Sequence, residues 1–441
     1  MIINYQLGAV RARIKSMKKE EKTVKNEVWD VVIIGGGPAG MMAAGRAGEL
    51  GLKIILLEKN DRLGKKLLLT GGGRCNLTNA EFDTRKFLEH LKDDGKFLFS
   101  AFSQFNSEDT INFFKNLGIE TKIEMGKRAF PTSDSAVSIQ NALISYMQKN
   151  GVKVTTEAKV LGFVTDKKQI KSIRIADGKK EKIIEAKHFI LATGGTSHPE
   201  TGSTGDGYKW MEEIGHTVVS PEPSLVPIVI KESWVKEIQG TVLENIKLTA
   251  FQNNEKKLTK KGRLLFTHFG ISGPTIINMS KDIGNLLKNG PVEISLDIFP
   301  SLDYGMIEEK LKKLFEENKN KQFKNCIANL VTSGFASTLV FLSGIDPNKE
   351  INNITREERI KFGQLMKNIR MEVDCLLGPE ESIVASGGVT PKEIDFKTMK
   401  SRLYPNLSFA GDIIDINRPS GGYSLQICWT TGYVAGSWIK K

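Results

Sequence analysis

The sequence predicts an α/β protein whose parallel sheet is shared by the two ends of the chain, with a β-rich portion and an α-helical insert between them. Three observations predict it. Residues 30–58 read as the apolar strand Asp30-Val-Val-Ile-Ile, a glycine turn, a helix and a second strand closing on Leu56-Leu57-Glu58. Strands running into glycine recur at Phe189-Ile190-Leu191-Ala192-Thr193-Gly194-Gly195 and at Leu407-Ser408-Phe409-Ala410-Gly411-Asp412. Between them the pattern turns β-rich from about residue 216 to 300 and helical and charged over 303–370.

The first element is the most informative. Gly35-Gly-Gly-Pro38-Ala39-Gly40 between a strand and a helix, with an acid 18 positions later at Glu58, is the fingerprint of a Rossmann-like dinucleotide-binding unit. Gly35 permits the tight turn, Gly37 lets backbone approach a pyrophosphate, and Gly40 lets the helix pack on the sheet. The helix N-terminus then directs unpaired N–H groups and partial positive charge at the phosphates. Glu58 is placed to accept hydrogen bonds from an adenosine ribose.

Leu63-Gly64-Lys65-Lys66 and Thr70-Gly-Gly-Gly-Arg74-Cys75-Asn76 follow, too glycine-rich for a helix interior and suited to an anion or flavin cradle. Residues 85–117 read as helical, 126–133 as a loop, Ala136 to Met147 as a helix and Val152–Thr156 as a strand. Residues 160–186 alternate as a small meander around an Asp177-Gly178 turn. Val226–Ile230, Ile246–Phe251, Leu264–Thr267 and Val292–Ile298 predict a small sheet or barrel. Thr355 and Glu358 form a capping box ahead of an approximately helical stripe from Ile360 to Ile369. The chain is extended at Ser382–Val389 and closes with a helix from about Leu425 to Trp438. The implied domains are a Rossmann-like domain over 28–215 and 393–441, a β-barrel-like domain over 216–302 and 371–392, and the helical insert over 303–370.

Composition narrows the class. Among 441 residues, 40% are hydrophobic and 26% charged, as in ordinary soluble proteins. No uncharged apolar run reaches the ~20 residues of a membrane helix, so no membrane partner is expected. Residues 1–27 carry seven Lys or Arg against three Glu and lack the apolar block of a secretory signal; they read as a basic disordered tail on a cytoplasmic protein. Cys75, Cys326, Cys375 and Cys428 show neither a CxxC pair nor metal-ligand spacing, so no metal and no neighbouring redox disulfide are expected. The net charge of +12 suits either a lysine-rich solvated surface or a polyanionic partner. Oligomeric state is not legible.

Three features favour FAD over NAD. Ala192-Thr193-Gly194-Gly195 suits a turn beside adenosine; Gly411-Asp412 suits an acid on the ribityl chain; Gly421-Gly422-Tyr423-Ser424-Leu425-Gln426 opens a helix whose dipole would face the flavin pyrimidine edge. The binding set is therefore Gly35, Gly37, Gly40 and Glu58 on the ADP half, with Pro38, Ala39, Lys59 and Lys66 alongside. Gly72, Gly73, Arg74, Cys75 and Asn76 are placed near pyrophosphate or flavin, although Arg74 also suits a structural ion pair. Thr193, Gly194 and Gly195 fall beside adenosine, Gly411 and Asp412 on the ribityl chain, and Gly421, Gly422, Tyr423, Leu425 and Gln426 around the ring. His268 and His198, in loops, and Cys75 are the candidates for proton transfer.

The blocks GGGPAG (35–40), KKLLLTGGGRCNLTN (65–79), RAFPTS (128–133), LATGGTSHPETGSTGDGY (191–208), LLFTHFGISGP (264–274), SGGVT (386–390) and FAGDIIDINRPSGGYSLQICWTTGYVAG (409–436) resemble the BaiN/YhiN-type flavoproteins over nearly the whole chain. The resemblance implies an FAD domain, an interposed barrel and a helical insert. It implies an oxidoreductase exchanging hydride through flavin N5 with a small molecule, an activated C=C or an amine. The sequence has no second GxGxxG-plus-acid unit, so the flavin is reduced either by NAD(P)H as a transient donor or by the substrate itself. Asn417-Arg418-Pro419-Ser420 departs from the family's Asp-Gly-x-Thr, and Ser424 from its Asn, close to the expected flavin edge. Two alternatives stay open. One is a flavin-dependent ribosomal RNA dihydrouridine synthase, for which the basic surplus and Lys310, Lys312, Lys313, Lys319, Lys321 and Lys324 would serve RNA. The other is a flavin-binding sensor without turnover.

Overall fold

Four apolar strands fix the centre of the molecule, because each buries both faces. The computed structural model describes residues 28–178, 180–378 and 384–439; the basic tail, Ser382 and the last two residues lie outside them. The apolar run gives β1 (Trp29–Ile34), followed by α1 (Pro38–Glu49) and β2 (Ile54–Leu57). Proline at the first helical position of α1 sets the backbone and loses no hydrogen bond. The chain returns through α2 (Ala136–Lys149) to β3 (Lys153–Thr155), then through the antiparallel strands β4 (Val160–Asp166), β5 (Gln169–Asp177) and β6 (Lys180–Leu191).

β1 lies between β2 and β6 and is parallel to both, with Ile33 opposite Leu56 on one side and Ile190 on the other. β3 extends the sheet beyond β2.

The middle of the chain forms a closed antiparallel barrel of β7 (Ile228–Ile230), β8 (Val242–Gln252), β9 (Glu255–Phe266), β10 (Gly270–Ser272), β11 (Glu293–Asp297) and β12 (Ile369–Leu376). Between β11 and β12 come α3 (Tyr304–Glu317), α4 (Ser333–Ser343) and α5 (Arg356–Lys367). The Thr355–Glu358 capping box starts α5, each side chain bonding the other's backbone N–H. These helices share one apolar core with the barrel: Ile307, Leu311, Phe335 and Phe362 pack with Leu248, Phe266 and Ile294. A ribbon of Val218–Ser224 against Val384–Val389 leads from the parallel sheet to the barrel and back.

The chain then re-enters the first sheet. β13 (Leu407–Phe409) pairs in parallel with β6, Phe409 opposite Leu191, and α6 (Tyr423–Ser437) closes the fold over α1. The contact is helix on helix at glycine. A Cβ on Gly432 would lie 2.4 Å from the Ala39 carbonyl oxygen, and one on Gly436 2.6 Å from that of Ala43.

Two segments depart from the sequence expectation. The stretch read as a loop at 126–133 contains the strand Arg128–Pro131, paired with Thr121–Glu124, because Ala129 and Phe130 are buried and the turn falls at Gly126 and Lys127, both at positive φ. The helical stretch at 85–117 is three helices, Thr84–Glu89, Gly95–Phe102 and Ser107–Asn116.

Candidate functional site

All the long parallel strands end on the same edge of the sheet, so the residue after each strand meets the others there. β1 delivers Gly35, β2 delivers Glu58, β6 delivers Thr193 and Gly194, and β13 delivers Gly411 and Asp412. These residues line one cleft enclosing about 1190 Å³ of space, counted out to its open mouth. Glu58 and Asp412 follow strands three steps apart in the sheet, roughly 14 Å at ordinary strand spacing. A ligand touching both must be elongated.

The glycine turn is built as the spacing predicts. Gly35 takes φ +105°, and a Cβ there would sit 2.4 Å from the Ala192 carbonyl oxygen. Gly40 has no room either, its Cβ falling 1.9 Å from the Gly35 oxygen. Gly37 is different: nothing lies within 4 Å of its Cβ position, although it faces the cleft wall beside Pro38 and Ala39. Open space over an N-terminal helix glycine is the room a pyrophosphate needs.

Glu58 is buried and pre-positioned. Its Oε2 accepts from the Gly36 N–H at 2.7 Å, and its Oε1 from the Asn60 backbone N–H at 2.8 Å and side-chain amide at 2.7 Å. Lys59 donates to Asp206 at 2.9 Å and to Thr204. The Asp206 carboxyl stays below its ordinary range: burial raises it, but bonds from Lys59 and Thr204 outweigh this. The Thr193 hydroxyl is buried without a hydrogen-bond partner among the described residues.

At the other end Asp412 is held by two cations. Arg418 Nη2 stands 2.8 Å from Oδ1, and Lys66 Nζ 3.6 Å from Oδ2. Lys66 also donates to Ser197. Burial alone would raise the Asp412 carboxyl, yet Arg418 and Lys66 hold it below the usual carboxylate range. Leu425, Ser424 and Cys428 from α6 complete this wall, and the Cys428 thiol, 3.9 Å from Asp412 Oδ1, is pushed strongly upward by burial.

Gly35, Gly37, Pro38, Ala39, Glu58, Lys59, Lys66, Thr193, Gly194, Gly411, Asp412 and Leu425 thus line one cleft. Gly40, Gly72, Gly73, Asn76, Gly195, Gly421 and Gly422 are not among its lining residues. Arg74 lies away from it, bonded to Glu124 and, at 2.8 Å, Asp134, with its guanidinium 4.2 Å from the Phe130 ring centre. Tyr423 packs against Phe87 and His90. Gln426 is fully buried, accepting from Thr78 at 2.6 Å and donating to Thr430.

None of the three proton-transfer candidates lines the cleft. Cys75 is fully buried away from the cleft lining, and burial pushes its thiol up to about 12, so it stays protonated near neutral pH. His198 turns its Nδ1 to Glu200 at 2.9 Å. His268 is exposed in the β9–β10 turn, its ring against Phe269. Asn60, Ser203 and Asp206 line the cleft without having been singled out. Asn60 and Asp206 had a signal: one is two positions after Glu58, the other follows a Gly-Ser-Thr-Gly run.

The residues present fit FAD: an acid at each end of an elongated cleft, a glycine turn with space above it, and an orphaned threonine hydroxyl on its wall. The family model described as HI0933-like protein Rossmann domain matches residues 29–438. The 3-dehydro-bile acid delta(4,6)-reductase of Clostridium scindens is 28% identical over 407 residues, 92% of this chain and 97% of that protein. The ribosomal RNA dihydrouridine synthase of Escherichia coli K12 is 27% identical over the same length, again 92% and 97%. Among solved structures, the open conformation of a flavocytochrome c3 fumarate reductase superposes with a TM-score of 0.54 at 17% identity, covering 96% of this chain and 80% of that one. The 3-ketosteroid delta1-dehydrogenase of Sterolibacterium denitrificans gives 0.53 at 12% identity, covering 93% and 99%. These two likenesses are of fold.

Proposed function

This chain belongs to the HI0933-like Rossmann-domain family and is an FAD-dependent oxidoreductase; from that premise we propose that it reduces an activated carbon–carbon double bond in a small organic substrate, drawing electrons from NAD(P)H. The observation that carries it is the pair of relatives matched over nearly their whole length, whose names both describe addition of hydrogen across a double bond. Such a reduction adds hydride to one carbon and a proton to the other. Bound FAD supplies hydride exchange at N5.

The chain's own residues would do the following. Gly35, Gly37 and the N-terminus of α1 bind the pyrophosphate, and Glu58, fixed by Gly36 and Asn60, accepts from the adenosine ribose. Thr193 and Gly194 flank adenosine, and Lys59 with Asp206 edges that end of the cleft. Asp412, kept ionised by Arg418 and Lys66, accepts from the ribityl hydroxyls. Ser424 and Leu425, in the first turn of α6, lie against the ring. All four cysteines are free, which supports electron transfer with no protein disulfide in the path.

Anaerobic titration tests the proposal. NADH or NADPH should bleach the bound flavin, and an enone should then restore its colour. Bleaching by aminoacetone, with no reoxidation by an enone, would refute the double-bond assignment. RNA is the alternative substrate class, favoured by the exposed Lys256, Lys260 and Lys261 of β9 on the barrel. Unchanged dihydrouridine in the ribosomal RNA of a deletion strain, with no salt-dependent RNA binding, would remove it.

A further inference from the structure

Arg418 is the most anomalous charge among the described residues. Its side chain is 1% exposed, and among the described residues Asp412 is its one ion-pair partner. Nε and Nη1 are buried with no hydrogen-bond acceptor among the described residues. Buried donors are nearly always satisfied, so two orphans on one guanidinium call for an explanation. Its surroundings add to the anomaly. Asp412 is also approached by Lys66, so two cations flank one carboxylate on the cleft wall. The next charges outward, Asp94, Asp415 and Lys281, meet at Asn417 and Gly387: Asp94 accepts from Asn417, Lys281 donates to Asn417, and Asp415 accepts from the Gly387 N–H at 3.0 Å. The Asp415 carboxyl is raised, first by burial, against the lowering bond from the Gly387 N–H, and further by Asp94.

We propose that Arg418 is a redox-tuning residue: together with Lys66 it leaves positive charge in excess beside the cleft, favouring the electron-rich form of the bound cofactor. This rests on FAD occupying the cleft. Reduction of flavin by two electrons with uptake of one proton leaves one negative charge on the ring system, whereas the oxidised ring is neutral. A guanidinium shielded from water, always protonated and short of acceptors, stabilises the reduced form selectively.

The test uses the flavin-loaded protein and two equilibrium measurements: the midpoint potential by spectroelectrochemistry, and the affinity for sulfite, whose N5 adduct places the same negative charge on the ring. Arg418→Gln should hold FAD at wild-type stoichiometry, bind sulfite at least tenfold more weakly and show a two-electron midpoint lower by about 30 mV or more, the equivalent of tenfold in the equilibrium constant. Arg418→Lys, which keeps the charge, should recover most of both. A flavin-loaded Arg418→Gln protein with unchanged potential and sulfite affinity would overturn the proposal. Should that variant purify without flavin, Lys66→Met is read instead: the same fall is expected, and an unchanged potential overturns the proposal. Wild-type protein that takes up no FAD would instead fail the cofactor assignment beneath it.

Discussion

Substituting Gly37 and Gly40 separates binding from folding within one turn of sequence. Gly37 has φ −77° and ψ −178°, extended backbone open to any residue, and its Cβ would meet nothing within 4 Å. Gly37→Ala should therefore leave the apoprotein unharmed, or stabilise it by about 0.4–1 kcal/mol through the unfolded chain. The added methyl enters the space reserved for the pyrophosphate, so FAD affinity should fall at least tenfold, about 1.4 kcal/mol. Gly40→Ala reverses the pattern. Alanine gains about 1 kcal/mol of helix propensity, but its Cβ would lie 1.9 Å from the Gly35 oxygen and 3.4 Å from Ala192. Neither backbone can retreat, because Gly35 is held in turn by β1 and β2, and overpacking of this kind costs about 1–3 kcal/mol or more. The net effect is loss of stability in the apoprotein itself. Urea denaturation of both apoproteins, with the m-value checked for constancy, and titration with FAD give the two columns. Gly37→Ala protein that binds FAD as tightly as wild type would refute the placement of the cofactor.

Three further outcomes are expected. Asp412→Asn leaves the Arg418 guanidinium buried without a counter-charge and should cost about 3–5 kcal/mol in denaturation experiments. Because the folded-state pKa of Asp412 is depressed, its stabilisation is present above the ordinary value of 3.8 and is lost as pH falls below it; denaturation midpoints across pH 2–6 (~) should show this acid limb shrinking in Asp412→Asn. Phe335→Ala, emptying a fully buried site stacked 5.7 Å from Phe266, should destabilise the barrel and its helices by about 3–5 kcal/mol while the cleft at the edge of the parallel sheet keeps FAD, read by proteolysis of the yellow protein. N-ethylmaleimide at neutral pH should label the exposed Cys375 and spare the buried Cys75, Cys326 and Cys428, as peptide mass spectrometry would report.

The parallel sheet was legible because a strand buried on both faces must be a continuous apolar run, and Val31–Ile34, Phe189–Leu191 and Leu407–Phe409 each run into a turn with little alternative. The residues just beyond those strands were legible for the same reason: Glu58, Thr193 and Asp412 inherit their positions from the sheet. Arg74 was not. A cation after three glycines resembles an anion cradle, but its partners Glu124 and Asp134 flank the hairpin strand Arg128–Pro131, a segment that reads as a loop. Arg418 was opaque too, because nothing in Asn-Arg-Pro-Ser says that its loop folds back to bury the guanidinium against Asp412. Local pattern determines strands; the pairing of charges brought together from distant loops is settled only by packing.

The seam of backbone against backbone between α6 and α1 joins residues nearly four hundred positions apart. During synthesis the glycine turn, its helix and Glu58 emerge early, yet one wall of the cleft waits for Gly411, Asp412 and Leu425. A chain synthesised only as far as β13 therefore has no finished receptacle for its flavin, and loading must follow synthesis of α6. A protein shortened by its final helix would expose the bare flank of α1 and stay colourless, whatever the condition of its barrel.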